Sequence, residues 1–180
     1  MNNECLLCHN FIDYPFKLSW FFSFQPLVSK YLCNDCYQRF EHLRSPFCKR
    51  CGRQRCEKLC FDCHQWEQKG KIRLHNQALY CYQNNAMKDY FEKYKFMGDY
   101  HLRYVFQIEF QKFITSNYSL KKWTVVPIPT NHYTLNETRL FDQVKGLLGD
   151  LPYDDCLRMK EECRLKKQSH KTRKERMKTP

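Results

Sequence analysis

The chain has 180 residues, a formal charge of +12 from 31 basic and 19 acidic side chains, 12 cysteines and 16 % aromatics. This is room for one ordinary domain plus a small metal-stapled one, and the aromatic content excludes a wholly disordered chain. The opening Met1-Asn2-Asn3-Glu4-Cys5 is no secretory signal, and the apolar stretch Trp20 to Phe24 is too short to span a bilayer, so a cytoplasmic protein is expected.

Four Cys-x-x-Cys pairs fall within the first 63 residues: Cys5/Cys8, Cys33/Cys36, Cys48/Cys51 and Cys60/Cys63. In a reducing compartment such spacing is explained by metal better than by disulfides. Read two and two, the pairs form two tetrahedral four-thiolate zinc sites, a double zinc ribbon over residues 1–66. Two zinc ions on eight thiolates would lower the charge to about +8, so the chain stays basic. The loop between Cys8 and Cys33 supplies Phe16, Trp20, Phe21, Phe22 and Phe24 for a small core. Gly52 suits the tight backbone after Cys51. Cys56 offers an alternative spacing to Cys60 but reads as a spare thiol, and His9 and His64 read as exposed neighbours of ligand cysteines. Cys81, Cys156 and Cys163 read as small core residues. Lys49, Arg50, Arg53, Arg55 and Lys58 form a basic cluster that is either a solvated face or a contact surface for nucleic acid or a protein partner.

After a short linker at residues 68–71, a second domain is expected over 72–180. Leu74 to Tyr82 suggests a strand. Met87, Tyr90, Phe91 and Tyr94 recur at helical spacing, with Gly98 as the stop and Asp99 placed to cap the next helix. Leu102, Val105, Phe106, Phe110 and Phe113 carry a second helical stripe, read as core. Trp123 to Pro129 reads as a buried strand. A helix follows over Glu137 to Leu148, with Leu140, Val144, Leu147 and Leu148 inward and Gly149 ending it; a further strand is expected around Cys156 to Met159. From Leu157 to Pro180 ten basic residues face three glutamates, giving a strongly cationic tail.

The paired ribbons, Tyr94-Lys95-Phe96-Met97-Gly98-Asp99, Val126-Pro127-Ile128-Pro129 and the segment Arg139-Leu140-Phe141-Asp142-Gln143 together resemble the ComF family of competence proteins. The likeness runs over essentially the whole chain, with Gln168 and Arg176 matching later family positions. It implies an α/β fold in which the N-terminal double zinc ribbon precedes a phosphoribosyltransferase-like parallel α/β domain. It also implies an accessory role in DNA uptake during natural competence, with single-stranded DNA and a helicase or translocase as partners. Recruitment to the membrane-bound uptake machinery would follow. Lys95, Arg139, Lys166, Lys167 and Arg173 join the ribbon's basic cluster as candidate contacts.

The departures bear on chemistry. Leu140 and Asp142 stand where the family has Gly and Asn, and no Gly follows Gly149, so the glycine-containing loop that cradles a 5-phosphate has no counterpart after Asp154-Asp155. The domain therefore reads as incomplete at its C-terminal end, and no catalytic residue is assigned. The alternative is a phosphoribosyltransferase acting on an unknown acceptor, if the sequence is a fragment of a longer active protein. The expected result of adding magnesium and phosphoribosyl diphosphate is an unchanged melting temperature; a clear rise would establish binding to the native state and revive the transferase reading.

Overall fold

A computed structural model of the chain describes residues 3–13, 22, 30–54, 56, 58–70, 75–130, 141–158 and 172. Two short helices belong to the cysteine-rich part, α1 (Asn34–Gln38) and α2 (Phe61–Gln68). Three more follow: α3 (Asn85–Phe91), α4 (Arg103–Asn117) and α5 (Gln143–Leu148).

The Met87/Tyr90/Tyr94 stripe organises the middle of the chain. Asn84 starts α3 by accepting the Ala86 amide at 2.7 Å, and Met87 and Tyr90 face inward. Beyond Phe91 the backbone widens into a π-helical turn, Glu92–Met97, which still buries Tyr94. Tyr94 stacks on Tyr90 at 5.5 Å and donates its hydroxyl to the Gln143 carbonyl at 2.7 Å. Gly98 stops the turn with φ +80°, a left-handed conformation that costs glycine little, and Asp99 accepts the His101 amide, as the sequence suggests. A 3-10 turn, Tyr100–Leu102, leads into α4, which buries Phe106 and half-buries Val105, Phe110 and Phe113.

Phe40 and Tyr90 both meet Phe106 edge to face, with ring centroids 4.9 and 4.8 Å apart, an arrangement that suits the quadrupoles of aromatic rings. Around them one hydrophobic cluster joins Cys5, Ile12, Leu32, Cys36 and Phe40 from the cysteine-rich part to Met87, Tyr90, Tyr94, Leu102 and Phe106. Lys93 Nζ donates to the Leu7 carbonyl across the same boundary at 3.2 Å.

Helix α5 begins later than its sequence indicates: Asp142 is its N-cap, accepting from Val144 and Lys145. Residues 131–140, including Leu140, lie outside the described residues. Leu148 is buried and Gly149 ends the helix at φ +56°, but Val144 is exposed, not inward. The inward face instead carries Gln143 and Gly146. Gln107 and Gln111 of α4 donate to the Gly146 and Leu148 carbonyls at 2.8 and 2.7 Å, satisfying acceptors that a helix end leaves unpaired.

The expected strands need correction. Among the described residues none is formed, only three isolated antiparallel bridges. Leu74 lies outside the described residues, and of residues 75–82 Tyr80 alone bridges, to His42. Residues 123–130 have no helix or strand assignment; Trp123 and Ile128 are exposed, and the Val125 carbonyl accepts the Asp154 amide at 2.9 Å. An apolar run becomes a buried strand only when neighbouring strands pair both edges and elements cover its faces, and the described residues provide one such hydrogen bond. The expected parallel sheet is accordingly not formed among the described residues.

A Cβ on Gly146 would stand 2.7 Å from Tyr94 Oη and 3.3 Å from Tyr100. Gly146→Ala should therefore destabilise the protein by about 1–3 kcal/mol, reversing the gain a helical Gly→Ala normally brings. An unchanged or raised denaturant midpoint would contradict this packing.

Candidate metal centre

Each ribbon is built from one tight turn and one helix start. In the first, the Cys5 amide donates to the Asn10 carbonyl and the His9 amide to the Cys5 carbonyl, at 2.8 and 2.9 Å. In the second, Cys48 N–H reaches the Arg53 carbonyl and Gly52 N–H the Cys48 carbonyl, at 2.8 and 3.0 Å. The bridges Glu4–Phe11 and Phe47–Gln54 flank the two turns at identical offsets from their first cysteines. Both turns need a left-handed residue directly after the second cysteine. Gly52 fills it with φ +71° and His9 with φ +61°. His9 is exposed, as expected, but it also occupies this backbone position, which the sequence reading missed because only one ribbon shows the Cys-x-x-Cys-Gly form.

The second pair of each site rides on a helix. Cys33 is the N-cap of α1 and Cys60 that of α2, so Cys36 and Cys63 project from the first turn of each helix. The Cys36 amide lies 3.4 Å from Cys33 Sγ, and the Cys60 amide 3.3 Å from Cys48 Sγ.

The sulfurs of Cys5, Cys8, Cys33 and Cys36 all lie within 4.8 Å of one another, and so do those of Cys48, Cys51, Cys60 and Cys63. Sulfurs at about 2.3 Å from a tetrahedral zinc stand about 3.8 Å apart. Cys8 to Cys33 measures 3.7 Å and Cys51 to Cys60 3.6 Å. The residues thus fit one zinc-sized cation per group, and the ion's chemistry there is that of a structural cross-link.

Electrostatics within the groups agree. Burial opposes ionisation of Cys5, yet backbone amides of Cys33, Cys8 and Leu7 carry its pKa down to about 7. Cys48 is likewise resisted by burial and carried down to about 5 by the amides of Cys60, Cys51 and Arg50. Burial pushes Cys36 and Cys63 the other way, helped by neighbouring thiols, Cys63 to about 12. One sulfur of each group is ready to ionise while another holds its proton until a cation neutralises the cluster.

The sites differ in surroundings. Cys5 and Cys36 belong to the main hydrophobic cluster, whereas Cys48 and Cys60 are buried outside it. Asn76, which the sequence reading did not single out, pins the second turn: its amide donates to the Arg50 carbonyl at 2.6 Å and its side chain to the Cys51 carbonyl at 3.1 Å. Cys56 is half-buried and outside both groups, consistent with a spare thiol. Cys81 is half-buried and Cys156 exposed, so the latter is no core residue; Cys163 lies outside the described residues.

The candidate contact residues separate. Arg50 and Arg53 are paired with Glu67 and Asp62 of α2, each at 2.7 Å, which ties turn to helix and neutralises half of the cluster's described charge. Lys49 and Lys58 are exposed, and Lys95 lies exposed beside Phe96, 5.8 Å from its ring centroid. Arg55, Arg139, Lys166, Lys167 and Arg173 lie outside the described residues.

Cys5→Ser should reduce bound zinc from two ions to one and collapse cooperative melting, because its sulfur is wholly buried in the shared core. Cys51→Ser should also remove one ion but leave the helical circular dichroism of α3 to α5. Native mass spectrometry with thermal melts checks both; equal effects on melting would contradict the asymmetry. Zinc affinity should fall as pH drops, since raised thiols such as Cys63 must lose protons to bind. Titrations in buffers of different ionisation enthalpy should show that proton release, and none would contradict four-thiolate ligation.

No protein-family model matches the chain, and no solved structure matches it. The competence protein ComFC of Streptococcus pneumoniae is 35 % identical over 150 residues, covering 82 % of this chain and 64 % of that protein. The competence protein ComFC of Bacillus subtilis is 28 % identical over 143 residues, covering 77 % and 58 %. The chain thus spans less than two-thirds of the length of these relatives. With both alignments running over most of its residues, the chain belongs to the ComF family.

Proposed function

We propose that the protein is a zinc-binding accessory factor of natural competence that assists uptake or internalisation of transforming DNA. The alignment to proteins named for competence carries this reading, and the two four-cysteine groups support its zinc part. In this reading zinc ions hold Cys5, Cys8, Cys33 and Cys36, and Cys48, Cys51, Cys60 and Cys63, and so set the ribbon surface as a docking module for a competence helicase or translocase. Basic side chains contact the phosphates of single-stranded DNA. Of the candidate contacts, Lys49, Lys58 and Lys95 are exposed, while Arg50 and Arg53 are engaged by α2. Among the described residues no helix is long and apolar enough to cross a membrane. In this reading the protein acts from the cytoplasm and is recruited to the uptake machinery.

The zinc-loaded chain should bind a labelled oligothymidylate at low salt, with the logarithm of affinity falling linearly with the logarithm of salt by about 0.7 per phosphate contacted. No binding at low salt, or binding indifferent to salt, would sink the nucleic-acid part. Changing Lys49 and Lys58 to Ala with all cysteines kept should flatten that slope; an unchanged slope would leave the ribbon as a protein-docking module.

A further inference from the structure

The first residue of α4 carries a cation that no described carboxylate neutralises. Four other arginines are in ion pairs: Arg39 with Asp89, Arg50 with Glu67, Arg53 with Asp62 and Arg158 with Asp155. Arg103 instead stacks on aromatic rings, its guanidinium carbon 3.6 Å from the Tyr100 ring centroid and 4.1 Å from that of Tyr104. Two of its hydrogen bonds go to neutral acceptors, the Tyr100 carbonyl at 3.3 Å and the Tyr104 hydroxyl. An arginine has five N–H donors in a planar fork, so donors remain for a ligand once these two are engaged.

The stack is anchored on both sides. Tyr31 lies on Tyr104 with centroids 5.0 Å apart and planes 17° from parallel, and the Tyr31 carbonyl accepts the Leu6 amide of the first ribbon turn. Tyr100 packs against Phe141 at 4.7 Å, just ahead of α5. The platform is therefore held by the ribbon and by the segment entering α5, while Tyr100 remains 41 % exposed and His101 beside it is exposed. Fixed stacking spares the guanidinium the loss of side-chain freedom that binding would otherwise impose, and neutral partners leave its charge available.

We infer that Tyr31, Tyr100, Arg103 and Tyr104 form a platform for an unpaired nucleotide of a single strand, with Arg103 taking a phosphate and the part of the Tyr100 ring left uncovered by Arg103 and Phe141 taking the base. The inference rests on the nucleic-acid reading above and deepens it by naming where the strand is held. A duplex covers the faces of its bases, so the platform selects single strands. Asp99, which caps the 3-10 turn at His101, is a nearby negative group, and it argues for one phosphate at this place rather than a continuous backbone track.

The test uses the whole zinc-loaded chain with labelled oligothymidylate, an oligouridylate and a duplex of equal length, each over a salt series. Tyr100→Ala should weaken single-strand binding by between about fivefold and a hundredfold with the salt slope unchanged. Arg103→Ala should weaken binding and lower the slope by about 0.7. Arg103→Lys keeps the charge but not the planar fork, so it should weaken binding at an unchanged slope and serves where the alanine variant does not fold. Zinc stoichiometry and melting temperature report folding. If the wild type binds single strands and folded Tyr100→Ala and Arg103→Lys bind as it does, the platform is overturned and the parent reading survives. If the wild type binds no single strand, both fail. Equal affinity for the duplex overturns the base-stacking assignment, and tighter binding of oligouridylate would make RNA the preferred strand on the same platform.

Discussion

The first ribbon sets a sulfur poised to ionise, Cys5, and one that burial keeps protonated, Cys36, against an aromatic core, and it must reconcile charge with burial. Cys5 and Cys36 are buried in the same cluster as Phe40, Tyr90 and Phe106. Burying unpaired thiolates would be costly, and four neutral thiols would leave the turn at Cys5 and helix α1 joined by packing alone. A cation at the centre would resolve both, neutralising the sulfurs and cross-linking the turn at Cys5 to helix α1. The packing of α3 and α4 is therefore coupled to a four-cysteine group distant in sequence.

The second site repeats the same local construction in a different setting. Its turn, its left-handed residue and its helix-borne cysteines match the first, but its support is polar. Asn76 holds the turn, while Arg50 with Glu67 and Arg53 with Asp62 tie it to α2. Half-exposed ion pairs contribute little stability, so this module relies on its sulfur cluster more than on packing. One ribbon is thus part of the core and the other an appendage, which suits the second to presenting a surface.

Helix α5 shows how a small element is held by others. Six residues are too few to be stable alone. Asp142 satisfies amides at one end, Gln107 and Gln111 satisfy carbonyls at the other, and Gly146 lets Tyr94 approach its backbone. The same helices place Tyr100 and Arg103 at the surface, so the arrangement of α4 and α5 governs the geometry of the cation and aromatic stack.

The grouping of the eight cysteines into two fours was legible from spacing, because two residues between thiols let each pair turn toward a common point. The stripe Met87/Tyr90/Tyr94, the stop at Gly98 and the cap at Asp99 were legible because they depend on local backbone geometry. The strands were not. Trp123 to Pro129 has the composition of a buried strand, but burial and pairing are supplied by neighbours that no short window contains. For the same reason the sequence left open whether Arg50 and Arg53 form a solvated face or a contact surface, and could not show that α2 brings Glu67 and Asp62 to them. Sequence by itself determined the Cys-x-x-Cys pairs and the helical periodicities, since those arise from residues close along the chain. Only the tertiary structure decided which ribbon joins the core, which arginines are neutralised and where Arg103 is held, because those depend on which distant groups share a dielectric and a surface.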